Sequence, residues 1–201
     1  EPDEQILAIG SSPDAAQVAA VMGGNDGRAS FLVVLDANGD LVEELALPAD
    51  AGATAAQAPA GAGNVAVDWS PQGDKILLLT GKGALLTVAV EANATTEALD
   101  LGDTGGTVLA PAWSPTGQQI AYLRVDPESR TRSLVVYDLQ SGASTDLVGL
   151  DSGRTVVEFA WEPGGQEILF TEGSALSSAI SGIDLWRIGA DGKGRELVAA
   201  A

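Results

Sequence analysis

The sequence predicts an all-β fold, a β-propeller made of four-stranded antiparallel blades, with four blade units visible. Three observations lead to this prediction. An eight-residue pattern occurs four times along the chain, its copies begin 44 to 58 residues apart, and short apolar runs alternate throughout with Gly-containing turns. A repeat of roughly 40 to 50 residues with four strands per copy is typical of propeller blades.

The repeated pattern is clearest in three copies that begin with Trp. These copies are WSPQGDKI at 69–76, WSPTGQQI at 113–120 and WEPGGQEI at 161–168. A fourth copy, SSPDAAQV at 11–18, keeps the Ser-Pro pair and the β-branched residue but lacks the Trp and the Gly. The first unit is therefore the one that departs most from the pattern.

The spacing of the copies is regular apart from one insertion. Copies begin at residues 11, 69, 113 and 161, which gives intervals of 58, 44 and 48 residues. The long first interval contains an Ala/Gly-rich stretch at 49–63, whose composition is typical of a flexible loop. Without that loop the interval returns to the mid-forties.

Each unit is predicted to hold a strand that ends at the Trp position, a tight turn and three more strands. Pro presets φ at the corner of the turn, and Gly supplies the left-handed conformation that follows. The second strands are predicted at Val18–Met22, Ile76–Thr80, Ile120–Arg124 and Ile168–Thr171. The third strands are predicted at Phe31–Leu35, Leu85–Val90, Leu134–Asp138 and Ile183–Ile188, and the fourth at Leu41–Leu47, Glu97–Leu101, Ser144–Val148 and Arg195–Val198.

The prediction is a single β-propeller domain over residues 1–201, in which the blade units span approximately 5–48, 64–102, 107–150 and 155–199. Residues 14–22 are rich in Ala and could form a helix by propensity alone. Their alignment with the other three units predicts a turn and a strand instead.

The pattern Trp-Ser-Pro-x-Gly-x-x-Ile, followed by a strand such as Leu134–Asp138 and a Gly turn, resembles the TolB-like (PD40, WD40-like) propeller repeat. The resemblance covers nearly the whole chain. It implies a scaffold outside the cytoplasm or associated with the cell envelope. The resemblance is also compatible with a second role, as the propeller half of a prolyl-oligopeptidase-like hydrolase. In such a hydrolase a separate α/β domain is catalytic. This chain contains no Gly-x-Ser-x-Gly nucleophile motif.

Both faces of a blade are apolar, so the end blades of a four-blade array need a cover. Four arrangements would cover the end blades. The blades could close into a small ring, belong to a longer propeller, complete a ring with a partner protein, or accept a strand from a partner.

Composition excludes several kinds of site. The chain has no Cys and no His, which removes thiolate nucleophiles, Cys/His zinc sites and a Ser-His-Asp triad. Its 28 acidic and 10 basic residues give a net charge of −18, which disfavours nucleic acid and anionic membranes as partners. Solubility or adaptation to salt explains this charge best, and a basic partner or Ca²⁺ is the alternative.

The apolar runs are too short to span a bilayer, so we expect no membrane-spanning segment within the chain as given. A signal or anchor upstream of Glu1 stays an open alternative. The resemblance implies an extracytoplasmic location in the periplasm, the cell envelope or the medium.

The four Trp residues of the chain are predicted to have structural roles. We expect Trp69, Trp113 and Trp161 to pack between blades, and Trp186 to lie in the core. The resemblance to the TolB-like repeat implies an aromatic position in the third strand, and it places Tyr137 and Trp186 at that position.

The segment Asp36-Ala37-Asn38-Gly39-Asp40 begins like a Ca²⁺ loop, but its Asn-Gly pair favours a hairpin turn. Asp68 and Glu158 could approach a central channel, although ordinary roles on the inner strand are as well supported.

Three loops distinguish the blades from one another, and differences between repeats are where specificity usually arises. They are the 49–63 loop, the charged segment that carries Arg124, Arg130 and Arg132, and the Ser/Ala-rich segment 173–182. Asn93 begins a glycosylation sequon, which carries little weight.

No catalytic, cofactor-binding or metal-binding residue is predicted. The function predicted is a non-catalytic protein-interaction or scaffold module of an extracytoplasmic or envelope-associated complex, with a protein partner or larger assembly and no cofactor. The alternatives are the hydrolase propeller and a propeller that binds a small ligand or glycan.

Overall fold

The computed structural model describes residues 4–24, 29–47, 65–80, 85–90, 96–99, 101, 106–149, 153–174 and 181–200. Within these ranges the chain forms sixteen β-strands and no helix. The all-β prediction is confirmed. Residues 14–22 form a turn and the beginning of a strand, as the repeat alignment predicted.

The strands form four separate four-stranded sheets, which we call blades 1 to 4. Blade 1 contains β1 (Glu4–Ser11), β2 (Gln17–Gly24), β3 (Ala29–Asp36) and β4 (Leu41–Ala46). Blade 2 contains β5 (Ala66–Trp69), β6 (Lys75–Leu79), β7 (Leu85–Ala89) and β8 (Thr96–Leu99). Blade 3 contains β9 (Thr107–Trp113), β10 (Gln119–Val125), β11 (Arg132–Asp138) and β12 (Ala143–Val148). Blade 4 contains β13 (Arg154–Trp161), β14 (Glu167–Ser174), β15 (Ser181–Gly189) and β16 (Glu196–Ala199). In every sheet the strands follow one another in chain order.

The chain divides into two compact units. Glu1–Asp100 and Leu109–Pro111 form the first, and Leu101–Val108 and Ala112–Ala201 form the second. Blades 1 and 2 therefore belong to the first unit, and blade 4 belongs to the second.

The turn between the first two strands is the same in all four blades. The residue after the Trp position donates its backbone N–H across the turn to the carbonyl five residues later, as Ser70 does to Lys75 at 2.8 Å. In blades 1 to 3 the Ser hydroxyl also accepts a backbone N–H, for example that of Lys75 at 3.0 Å. The third residue of the turn has a left-handed conformation, with φ of 74° at Gly73. The repeated Pro and Gly thus fix one hairpin geometry.

The core of the first unit lies between blades 1 and 2. The face of blade 2 that carries Trp69, here called a leading face, buries the side chains Trp69, Ile76, Leu78, Leu86 and Val88. The opposite face of blade 1, a trailing face, contributes Ala19, Val21, Leu32 and Val34 to the same cluster. The trailing face of one blade therefore covers the leading face of the next.

The second unit repeats this direction of packing. The indole N–H of Trp161 in blade 4 donates to the carbonyl of Ala112 in blade 3 at 3.3 Å. Gly165, in the first turn of blade 4, lies against Thr116 of the corresponding turn of blade 3. A Cβ at this Gly would come within 2.9 Å of the Thr116 methyl group, so the close approach requires glycine.

Candidate protein-interaction surface

The leading face of blade 1 is apolar and exposed. Residues directly opposite one another on paired strands share a face, so the register places Ile6 with Met22 and Ile9 with Ala20. Three of its side chains are unusually accessible for large apolar residues: Ile9 is 66%, Ile6 61% and Leu41 58% exposed. Apolar area of this kind, gathered on one sheet, is typical of a surface that another protein covers.

A shallow groove of about 440 Å³ runs across this face. Its lining combines β1, β2, β3 and β4. The lining residues are Ile6, Ala20, Met22, Phe31, Val33, Leu35 and Glu44. Glu44 is therefore the one charged residue in an otherwise apolar lining.

A β-bulge in β1 creates the exposed row. The register of β1 against β2 shifts between Ile6 and Ala8. Ile6 and Ile9 are three positions apart and would lie on opposite faces of a regular strand, but the bulge places both on the leading face. Leu7, at the bulge, packs instead against the core shared with blade 2. The sequence predicted that an end blade presents an apolar face, but it did not place Ile6 and Ile9 together on that face, because alternation alone does not reveal a bulge.

The Trp residues of the repeat behave as predicted where they can be compared. Trp69 is 5% exposed and its indole N–H donates to the carbonyl of Gly10 at 3.0 Å. Trp161 makes the equivalent bond to Ala112. Trp113 is also buried. Packing between blades is thus the role of Trp69 and Trp161.

Trp186 does not occupy the position assigned to it. The register pairs Ile120 with Tyr137 in blade 3 and Ile168 with Ile188 in blade 4, so Ile188 is the equivalent of Tyr137. Trp186 lies two residues earlier, opposite Phe170. An aromatic side chain does not mark the equivalent position in the two strands, because strand pairing fixes the register.

Trp186 is half-buried and belongs to a charged cluster that the sequence analysis did not anticipate. The guanidinium of Arg195 lies 4.2 Å from the centre of the Trp186 ring, within the range of a cation–π interaction. The same guanidinium donates to Glu172 at 2.6 Å. Arg154 donates to Glu172 at 2.8 Å and to Asp184 at 3.0 Å.

Glu172 is the buried centre of this cluster, with a side chain only 3% exposed. Two arginines, each about one-third exposed, neutralise it. The hydrogen bond from Arg154 to Glu172 is the main cause that raises the pKa of the Arg154 guanidinium above its usual value. The cluster holds its own charges in balance and joins β13, β14 and β15 with the segment before β16. The sequence does contain a signal for this cluster. Glu172 follows Ile168 and Phe170 at two-residue steps, so a charged residue stands where strand alternation predicts a buried one.

The hairpin interpretation of residues 36–40 is confirmed. The Asp36 carboxylate accepts the backbone N–H groups of Asn38 at 2.8 Å and Asp40 at 2.9 Å. These bonds, that from Asp40 above all, hold the pKa of the Asp36 carboxyl below its usual value. Gly39 has a φ of 86°, as the turn requires.

The charged segment of blade 3 has structural partners. Arg124 forms an ion pair with Asp146 at 2.9 Å. The backbone N–H of Arg132 donates to Thr155 of blade 4 at 2.9 Å. Arg130 is exposed and has a left-handed backbone, with φ of 61°.

The remaining candidates are placed only in part. Asp68 is half-buried on β5, and Glu158 is exposed on β13. Asn93 and the 49–63 loop lie outside the described residues, as does most of the 173–182 segment. In the described ranges, no group of three or more acidic residues is arranged to hold a metal ion. The same part of the chain contains no helix long and apolar enough to cross a membrane.

Comparison with solved structures decides the fold. A protein provisionally identified as TolB from Agrobacterium tumefaciens matches all of this chain, with a TM-score of 0.64 and 16% identity. The β-propeller domain of Cps50 (Swd1) from Myceliophteria thermophila matches 96% of it, with a TM-score of 0.60 and 13% identity.

The chain has a β-propeller fold.

A functionally unknown protein from Desulfotomaculum acetoxidans is a further match, with a TM-score of 0.59 and 14% identity over 98% of this chain. The chain spans 65%, 57% and 56% of the A. tumefaciens, M. thermophila and D. acetoxidans chains, or about two thirds of their length or less. No protein-family model matches the sequence, and no curated protein matches it. The likeness therefore extends to the propeller fold, and membership of the TolB-like repeat family stays a prediction.

Proposed function

We propose that this chain is a non-catalytic interaction module that binds a protein through the leading face of blade 1. The observation that carries the proposal is the exposure of Ile6 and Ile9 beside a 440 Å³ apolar groove. In the same chain, the equivalent face of blade 2 is buried under blade 1. The apolar leading face of blade 1 therefore has the composition of a face that another sheet covers.

Composition supports a role without catalysis. A chain without His or Cys has few of the side chains that serve as general bases or nucleophiles near neutral pH. Its net charge of −18 opposes association with nucleic acid, which needs a basic surface. The likeness of its fold to the A. tumefaciens protein and the resemblance of its repeat favour an extracytoplasmic site of action, in the periplasm or the cell envelope.

A capture experiment tests the proposed function. The chain is immobilised and exposed to a membrane-and-envelope extract of its source, and retained proteins are identified by mass spectrometry. Ile9→Lys places a charge at the most exposed apolar position of the face and should lower retention of a genuine partner about tenfold. Leu197→Lys is the matched control, because Leu197 is 46% exposed on blade 4.

Equal retention by wild type and Ile9→Lys would contradict the role of this face. Fractionation of the source with an antibody to the chain tests the location. Recovery only in the cytoplasmic fraction would contradict the extracytoplasmic proposal.

A further inference from the structure

We propose that the partner of this face is a second copy of the same chain, whose blade 4 docks its trailing face on the leading face of blade 1. The inference rests on the proposed function, since it names the occupant of the same surface. Its basis is the packing of blades 1 and 2, together with a charge on each of the two faces.

The first step is geometric. In the first unit, Val34 of the trailing face of blade 1 packs in the cluster that contains Leu86 and Val88 of blade 2. Ala19 of blade 1 and Leu169 of blade 4 occupy the same position of the repeat. Ala19 pairs with Val34, and Leu169 pairs with Arg187. Arg187 is therefore the blade 4 equivalent of Val34. Arg187 therefore lies where a trailing face meets the next leading face.

The trailing face of blade 4 offers apolar area around this arginine. Leu185 and Leu169 are half-buried on strands β15 and β14, and Ile183 is 40% exposed. Register places Leu185 opposite Thr171 and Leu169 opposite Arg187, so these residues share the face. The face is suited to cover an apolar sheet.

The second step is electrostatic. Arg187 is 43% exposed and lies between Glu167 at 3.5 Å and Glu196 at 2.6 Å. On the leading face of blade 1, Glu44 is the charged residue of the groove lining, opposite Val33 on the neighbouring strand. Docking by the blade 1–blade 2 arrangement brings the arginine of one copy over the β3–β4 side of the other copy's groove. Glu44 would then share the Arg187 guanidinium with the two carboxylates that already hold it on that face.

This pairing is head-to-tail, because two different faces meet. Such contacts form rings when the rotation closes and open chains when it does not. A ring of two copies has both faces covered in both chains, and the smallest closed species has twice the mass of 20.3 kDa.

The absence of Cys allows a direct test by disulfide cross-linking. Glu44→Cys and Arg187→Cys are prepared as separate proteins, mixed and oxidised, and the rate at which the mixed dimer forms is measured. Docking holds the two thiols together, so the rate should exceed by about tenfold that of a Glu97→Cys and Arg187→Cys mixture. Glu97 is the matched control, an exposed acidic residue on the outer strand β8 of blade 2.

Sedimentation of the unmodified chain accompanies the cross-linking. The expected result is a species of twice the monomer mass or larger that Ile9→Lys disperses and Leu197→Lys does not. Equal cross-linking rates in the two mixtures would overturn the inference. So would an intrachain disulfide in the monomeric Glu44→Cys/Arg187→Cys double variant.

The outcomes separate this inference from the function on which it rests. A monomeric chain that captures a different protein in an Ile9-dependent manner overturns the second copy as partner and leaves the proposed function standing. A monomeric chain with no Ile9-dependent capture overturns both.

Discussion

The indole N–H of Trp69 donates to the carbonyl of Gly10 at 3.0 Å, and this bond joins the inner strands of two blades. Trp161 repeats it with Ala112 at 3.3 Å. In both cases the acceptor is the residue just before the Trp position of the preceding blade. The Trp of the repeat thus buries a large ring between two blades. Its directional hydrogen bond also fixes the position of one blade along its neighbour.

Trp69→Phe should lower the free energy of unfolding by about 2 kcal/mol, because it removes the donor to Gly10 and some buried area. Chemical denaturation monitored by circular dichroism measures the change. Trp161→Phe is the comparison, and its effect should be smaller because its hydrogen bond is longer and its ring is only half-buried. A larger loss at Trp161 would contradict this account.

Ala15→Gly should stabilise the protein. Ala15 occupies the turn position of Gly73, Gly117 and Gly165, and its φ is 56° against 71° to 74° in those glycines. The left-handed conformation costs a residue with a Cβ roughly 1–2 kcal/mol, and the greater freedom of Gly in the unfolded chain offsets part of the gain. The expected net gain is about 0.5–1 kcal/mol.

Ala16→Gly is the control for this gain. It adds the same flexibility in the next residue of the turn, where no positive φ is relieved, and it should destabilise slightly. The prediction for Ala15 fails if both variants change stability in the same direction and by the same amount.

Glu172→Gln should destabilise the protein by about 1–3 kcal/mol. The carboxylate is 3% exposed and accepts charged hydrogen bonds from Arg154 and Arg195. Its loss leaves Arg195 without this counter-charge and leaves Arg154 with Asp184 alone. The figure lies below that for a fully buried pair, since water reaches both arginines. Glu167→Gln removes the same charge from the same strand at a 42% exposed site and should change stability by less than about 0.5 kcal/mol.

Asp36 should make the stability of the protein depend on pH. Its folded-state pKa lies below the ordinary value of 3.8, chiefly because the Asp40 N–H binds the carboxylate. The stabilisation is therefore present above pH 3.8 and is lost as the pH falls through the folded-state pKa. Asp36→Asn should be less stable than wild type at pH 6, and the difference should shrink in acid.

Asp40→Asn removes the same charge from the same turn while keeping the backbone N–H that Asp36 accepts. It controls for the effect of net charge. A difference between Asp36→Asn and wild type that is constant from pH 6 to well below pH 3.8 would refute the proposed linkage.

The strands and turns could be predicted because their signals are local. Pro71 and Gly73 specify the first hairpin of blade 2, and the same residue types recur in step with apolar runs. The Trp residues could be assigned to packing between blades because a large aromatic recurs at one position. The surface of blade 1 and the Glu172 cluster depended on pairing between strands, which single-sequence periodicity does not contain.

The sequence by itself determined the four repeat units, the chemistry of their turns and the position at which one unit is tied to the next, because these depend on residue types at short and repeated spacings. The tertiary structure decided which apolar residues are buried. The bulge at Leu7 moves Ile6 and Ile9 to the same face, and strand pairing brings Arg154 and Arg195 to Glu172. Burial is a property of what lies opposite a side chain in space, and residues distant in the chain supply it.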